Sequence, residues 1–319
     1  MQWQPTASLE AIQARAELYA QIRSFFAERS VLEVDTPVLS QAAVSDPYLV
    51  PMISSYSDLG VDSAQPLFLQ TSPEYAMKRL LAAGSGPIYQ LAKAFRDTET
   101  GSRHNPEFCM LEWYRPGFDD RQLMDEIEEL VDEVLGCGLI ERLSYRELFE
   151  RQLGFDPHRV ELAVLRQQVK QRLDLDLDSD DRDDFLNLLI SHELEPTLIK
   201  PTFVYNYPAS QAALARVDQD EQGQSVAKRF ELFVNGVELA NGYFELTEAD
   251  EQARRFERDL ARRQQLGYPC HPTDQRLVAA LQAGIPECAG VALGVDRLLM
   301  LKLGVERIEQ VIAFPLAIA

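Results

Sequence analysis

Apolar residues recur at helical spacing near the start of the chain. Leu9, Ile12, Ala16, Tyr19, Ile22, Phe25 and Phe26 follow a 3.6-residue winding, which predicts a helix over residues 9–30. The run VLEVDTPVLS (31–40) reads as a short strand entering Pro37, whose missing N–H ends regular pairing or marks an edge. TSPEYAMKRLLAAG (71–84) predicts a capped helix, with Ser72 or Thr71 as cap, Pro73 in the first turn, Glu74 near the N-terminus and Gly84 at the stop. IYQLAKAFRD and FCMLEWYR alternate apolar and polar positions and predict a strand–loop–strand unit. Residues 121–135 read as an acidic amphipathic helix whose charge run is a solvated face. Residues 141–200 mix helices with acidic loops such as DLDLDSDDRDD and carry no catalytic pattern. PTFVYNYP (201–208) is strand-like, and RFELFVNGVELANGYFEL (229–246) is two strands around an Asn235-Gly236 turn. A helix follows at 248–266, and CAGVALGVDRLLMLKLG reads as strand, glycines and helix. No repeat, low-complexity linker or clear internal boundary interrupts the pattern. Hairpins require antiparallel pairing, so the chain predicts one α/β (α+β) domain over residues 1–319, built on a mostly antiparallel sheet flanked by helices.

Composition narrows the class. The 319 residues, 46% hydrophobic and 26% charged, suit a soluble globular protein of one large domain or two small ones. No apolar run is long enough to cross a bilayer. Glu10 and Glu17 lie inside the N-terminal amphipathic pattern, so it is not a secretory signal. Cys109, Cys137, Cys270 and Cys288 show no C-x-x-C spacing, which fits free thiols in a reducing cytoplasm and no structural zinc. The net charge of −20 argues against gripping a polyanion over most of the surface.

Three segments carry candidate chemistry. In FCMLEWY, alternation puts Phe108, Met110, Glu112 and Tyr114 on one face, and Cys109, Leu111 and Trp113 on the other, core-facing side. Arg96 shares a face with Ala92 and Ala94, which leave room for a ligand. Its guanidinium can hold a phosphate or carboxylate bidentately, and Phe108 can stack on a flat ring. A plain hairpin with an Arg–Glu pair is the alternative. In the second segment, a two-residue turn would pair Phe233 with Glu238 and Glu231 with Ala240. Glu231 and Glu238 would then be diagonal neighbours on one face, roughly 7–8 Å apart. Mg²⁺ between them would relieve their repulsion; two separate solvated glutamates are the alternative. Asn241-Gly242 supplies a second irregularity that would bring Glu245 to the same cavity. In GVALGVDR, Gly290 and Gly294 precede a helix that opens near Arg297, which suits either close ligand approach or tight strand–helix packing.

Taken together, these segments resemble a class II aminoacyl-tRNA synthetase core of the lysyl type. VDTPVL resembles motif 1, FRDTETGSRHNPEFCMLEWY motif 2 and GVALGVDR motif 3, while TSPEYAMKRLL and ELANGYFEL resemble lysyl-type stretches. The likeness runs through almost the whole chain in the right order. It implies a homodimer through the motif 1 region and a site for ATP and an amino acid. Arg96 and Arg297 would be the catalytic arginines, Arg96 on the α-phosphate and substrate carboxylate, Arg297 on the γ-phosphate or adenine. Phe108 would stack on adenine, and Asp97, Thr98, His104, Asn105, Glu238, Leu239 and Gly294 would complete the ATP site. Glu231 and Glu238 would hold Mg²⁺. Ser72, Pro73, Glu74, Glu112, Tyr114, Asn241, Glu245 and Ala292 would line the pocket for a substrate with two amino groups, where carboxylates suit ammonium groups.

Three departures from the lysyl-tRNA synthetase pattern qualify this. The core begins almost at Met1, without the family's N-terminal anticodon-binding barrel. Ala292 stands where motif 3 has Gly, and Thr98 stands where motif 2 has Glu, with Glu99 next to it. These traits resemble stand-alone lysyl-type paralogues that activate (R)-β-lysine and pass it to a lysine of translation elongation factor P, with no tRNA and no membrane partner. Two alternatives stay open at this point: a tRNA-charging enzyme working with a partner in trans, and a non-catalytic amino-acid- or nucleotide-binding regulator.

Overall fold

The computed structural model describes residues 3–56 and 65–319. The chain divides into two compact units, Met1–Gly117 with Thr247–Ala319, and Phe118–Leu246.

The first unit opens with α1 (Leu9–Glu28), whose N-terminal amide of Ala11 donates to the Ser8 hydroxyl. Its buried line is Ala11, Leu18, Ile22, Phe25 and Phe26. Leu9 and Ile12, expected on that line, stay exposed, because the helical winding turns both away from the line through Ala11, Leu18 and Ile22. The single strand expected over 31–40 is two short strands in two sheets. β1 (Leu32–Glu33) runs parallel to β5 (Ile88–Phe95). β2 (Leu39–Ser40) joins β3 (Ile53–Tyr56) and β4 (Gln65–Leu69) in the order β2-β4-β3. Pro37 falls between β1 and β2, where a residue without an N–H ends pairing. α2 (Glu74–Ala82) begins one residue later than expected, with Pro73 at the cap position and the Ser72 hydroxyl accepting from the Glu74 N–H. β5 pairs antiparallel with β6 (Glu107–Pro116), and β6 pairs antiparallel with β12 (Cys288–Gly294). The returning chain adds α7 (Ala249–Gln265), α8 (Gln275–Ala283) and α9 (Val295–Leu303).

The second unit starts with α3 (Asp120–Leu135), closed at its N-terminus by a reciprocal Asp119–Gln122 capping box and at its end by Gly136 in a left-handed turn. β7 (Glu141–Ser144) lies parallel to β8 (Thr202–Pro208), and β8 pairs antiparallel with β10 (Ser225–Val234). β9 (Val217–Gln219) adds to one end of β10. β11 (Val237–Phe244) returns from β10 through Asn235 and Gly236, at φ of 53° and 65°. Both residues accept positive φ, as this hairpin turn requires. Residues 145–198 hold α4 (Tyr145–Leu153), α5 (Leu162–Leu173) and α6 (Arg182–Leu189). Their apolar sides pack Phe149, Leu165, Val169, Phe185 and Leu189 against Val204 of β8 and Phe233 of β10. The segment without a chemical pattern therefore packs against the strands that carry the carboxylates. All four cysteines are free thiols, and no helix among the described residues is long and apolar enough to cross a membrane.

Candidate active site

Five of the expected residues, Phe108, Glu112, Tyr114, Ala292 and Gly294, lie on the adjacent strands β6 and β12 of the first unit, with β5 on the other side of β6. The register sets them in rows: Ile88, Tyr114 and Gly290; Gln90, Glu112 and Ala292; Ala92, Met110 and Gly294. Phe108 lies opposite Ala94. Directly opposed residues of antiparallel strands point to the same side, so Phe108, Met110, Glu112 and Tyr114 share the expected face. Ala292 joins them beside Glu112.

Glu112 is the centre of this face and is 2% exposed. The Ser72 hydroxyl donates a short hydrogen bond to its Oε1, and the Tyr114 phenol donates to its Oε2 at 3.4 Å. The Thr36 hydroxyl, from the segment resembling motif 1, donates to Gln90 Oε1 at 2.9 Å and steadies the same row. Ser72 and Glu74 also border a small cavity with Val44, Gln70, Thr71 and Tyr75. Glu74 there accepts from Lys78 Nζ at 2.7 Å, and the Lys78 side chain is only 2% exposed. This buried internal ammonium escaped the sequence reading, although i,i+4 spacing on a helix is its ordinary signature.

The loop after β5 gathers the expected cationic groups. The Arg96 guanidinium lies 5.1 Å over the Phe108 ring, and its Nη1 is 3.6 Å from Glu99. Glu99, rather than Thr98, supplies the carboxylate next to this arginine. Arg96 Nε is buried without a hydrogen-bond partner among the described residues. Thr98 sits at a φ of 66°, and its N–H donates to Asp97 Oδ1 at 2.8 Å. A β-branched residue in that region is strained. His104 Nε2 lies 2.7 Å from an Arg297 amino group. Gly294, one turn below Arg297, leaves ordinary contact distance to its side chain. Asn105 is buried and already used: its amide donates to Glu107 O at 2.6 Å, and its Oδ1 accepts from the Leu316 N–H at 3.1 Å. It therefore ties the loop to the C-terminal tail, a contact between distant segments that spacing does not reveal.

Asp296, beside Arg297, was also missed. It is buried, accepts from the Cys109 N–H at 2.7 Å and pairs with Arg15. One carboxylate thereby joins α1, β6 and α9.

The second unit holds Glu231, Glu238, Leu239, Asn241 and Glu245. Val234 opposes Val237, and Phe233 opposes Glu238 as expected. The register then shifts, so that Leu232 opposes Ala240 and Glu231 opposes Asn241, not Ala240. The irregularity is a β-bulge at Leu239, ahead of Asn241-Gly242. One extra residue reverses the alternation and turns Asn241 to the face of Glu231 and Glu238. Gly242 has a different reason: a Cβ there would lie 2.2 Å from the Phe230 ring. Asn241 Oδ1 is buried without a partner among the described residues, and Glu245 is buried.

Glu231 has a cation that the sequence reading overlooked. Arg229 forms a short ion pair with its Oε1, and the Tyr207 phenol donates to its Oε2 at 2.7 Å. Residues two apart on a strand share a face, which was the available signal. Burial pushes the Glu231 carboxyl up and nearby Glu238 adds to this, against the pull of Arg229. Repulsion between Glu231 and Glu238 is what a divalent cation would relieve. Among the described residues no group of three or more acidic, His or Cys side chains could cage a metal. Two carboxylates would suit Mg²⁺ completed by phosphate and water, the ion's usual habit with nucleotides, with Glu231 sharing an oxygen that now meets Arg229 or Tyr207.

The profile of class II tRNA synthetases (D, K and N) matches residues 1–317, and the chain belongs to that family. Among curated relatives, elongation factor P–(R)-β-lysine ligase of Proteus mirabilis (strain HI4320) is 52% identical over 318 residues, covering 98% of this chain and 97% of the relative. The proteins of that name from Yersinia pestis (strain Pestoides F) and Yersinia pseudotuberculosis serotype O:1b (strain IP 31758) are each 51% identical over 322 residues, covering 99% of this chain and 98% of theirs.

Proposed function

We propose that the protein is a cytoplasmic, ATP-dependent ligase that activates (R)-β-lysine as an adenylate and transfers it to the ε-amine of a lysine on elongation factor P. Likeness along the whole length of relatives bearing that name carries the reading. The geometry of the Glu112 face supports it.

In the first step a carboxylate oxygen of the amino acid attacks the α-phosphorus of ATP, and pyrophosphate leaves. Arg96 stabilises charge at the α-phosphate and orients the attacking carboxylate, and Arg297 holds the far phosphates or the adenine. Phe108 stacks on the adenine. Mg²⁺ held by Glu231 and Glu238 would neutralise charge on the departing phosphates. In the second step the acceptor amine, having lost its proton, attacks the acyl carbon, and AMP leaves with the bonding pair. No enzyme nucleophile is needed. Ser72, Glu74, Glu112 and Tyr114 receive the substrate's ammonium groups, and Ala292 shapes the floor beside Glu112. Two copies of the chain associate through the segment around Pro37.

Pyrophosphate exchange across α-lysine, both β-lysine enantiomers and ornithine tests the activation step. The reading requires (R)-β-lysine to give the highest kcat/KM; α-lysine leading the panel would overturn the substrate assignment.

A further inference from the structure

One face of α7 grips a loop that no part of the proposed mechanism uses. Phe256, Asp259 and Arg263 lie three and four residues apart, so they project from the same side of the helix. Arg263 is completely buried. Its Nη1 donates to Asp46 O at 2.6 Å and Leu49 O at 2.9 Å, and its Nε donates to Pro269 O at 3.1 Å. The Ser45 hydroxyl donates to Asp259 Oδ2 at 2.6 Å. The Phe256 ring packs 5.7 Å from that of Tyr75.

The gripped loop ends at two functional places. Val44, just before Ser45, borders the cavity with Ser72 and Glu74, and Tyr75 borders it from α2. At the other end, Val50 O accepts the Asp97 N–H at 2.8 Å, next to Arg96. A loop lacks a sheet ladder to hold it, and side-chain bonds to its backbone supply the missing constraint. Arg263 in particular gives one amino group, Nη1, to two carbonyls three residues apart, while its Nε holds Pro269 O on the other side.

We infer that Asp259 and Arg263 of α7 are positioning residues for amino-acid recognition, fixing the 44–50 loop as one wall of the Glu74 pocket. The inference rests on the proposed ligase reading for its substrate. It extends the determinants of specificity to a helix that touches no reactant.

Ser45→Ala and Asp259→Ala test it, with Asp259→Asn as the conservative variant that still accepts from Ser45. In pyrophosphate exchange, loss of the Ser45–Asp259 bond should raise KM for (R)-β-lysine roughly 3- to 10-fold, the range for one hydrogen bond. KM for ATP and kcat should stay within about 2-fold, and Asp259→Asn should restore the wild-type KM. Arg263→Lys, which keeps the charge but cannot reach the loop carbonyls and Pro269 O from two nitrogens, should act in the same direction. Hydrogen exchange reads the clamp with no substrate present: amides of 44–50 should exchange faster in Asp259→Ala than in wild type. Unchanged exchange in that loop, or equal loss of kcat and both KM values in folded variants, would overturn the inference. If wild type activates no lysine isomer but the loop loosens as expected, the ligase reading fails and the clamp stands.

Discussion

Replacing Ala292 with glycine should weaken the preference for a β-amino acid. Ala292 lies directly opposite Glu112 in the β12–β6 pair, the carboxylate that also takes hydrogen bonds from Ser72 and Tyr114. Opposed Cβ atoms on antiparallel strands lie about 4.5–5.5 Å apart. In the proposed pocket an α-ammonium would approach Glu112 through the space of the Ala292 methyl, which has no rotamers and cannot move aside. An amine displaced by one carbon avoids it. One methyl's worth of pocket volume changes discrimination by about 1–3 kcal/mol, roughly 10–200-fold. Glycine in a strand also destabilises by roughly 0.5–1 kcal/mol, too little to unfold a domain. The assay is kcat/KM for α-lysine and (R)-β-lysine by pyrophosphate exchange in wild type and Ala292→Gly. The ratio should move toward α-lysine within that range. An unchanged ratio in a folded variant would refute the steric argument and leave selectivity to the polar groups around Glu112.

Glu238→Gln should remove adenylate formation by on the order of 100-fold or more while the protein stays folded, because one phosphate-bridging ion loses a ligand; near-normal exchange would make the carboxylate a surface group. Gly242→Ala should destabilise by about 1–3 kcal/mol or more, since its methyl would lie 2.2 Å from the Phe230 ring; in urea denaturation, Phe230→Leu in the same chain should recover part of the loss, and a neutral single variant would contradict the packing. Asp259, facing Asp46, Arg255 and Arg258, is pushed up to about 6, chiefly by burial. A carboxyl raised in the folded state favours the fold below its unfolded pKa and loses that contribution as pH rises through about 6. Asp259→Asn should therefore match wild type near pH 4 and exceed it by roughly 2–3 kcal/mol at pH 7, after allowance for solvent screening; a difference independent of pH would refute this.

The strands were legible where alternation and turn chemistry agree. Asn235-Gly236 announced its hairpin, and alternation in FCMLEWY put Glu112 and Tyr114 on the right face. The bulge at Leu239 was not legible, because neither neighbour carries a signal for an extra residue, and its effect was to give Glu231 a different partner. Gly242 drew attention for the wrong reason: what excludes a side chain there is Phe230 on the neighbouring strand. Lys78 and Arg229 were readable from spacing, since each lies within helix or strand reach of the carboxylate it neutralises. The Asn105–Leu316 contact and the α7 clamp join residues far apart in the chain, and local pattern contains no trace of them. The two units were equally hidden, since the chain leaves the first at Gly117 and returns to it at Thr247 with no linker composition at either place.

The most direct test of the central claim is the choice of acceptor. Purified protein is incubated with ATP and labelled (R)-β-lysine, together with either elongation factor P or tRNA-Lys at equal concentration. The account predicts label on a single lysine of elongation factor P, with one AMP released for each residue transferred, and negligible label on tRNA. Efficient labelling of tRNA-Lys with none on the protein would contradict it.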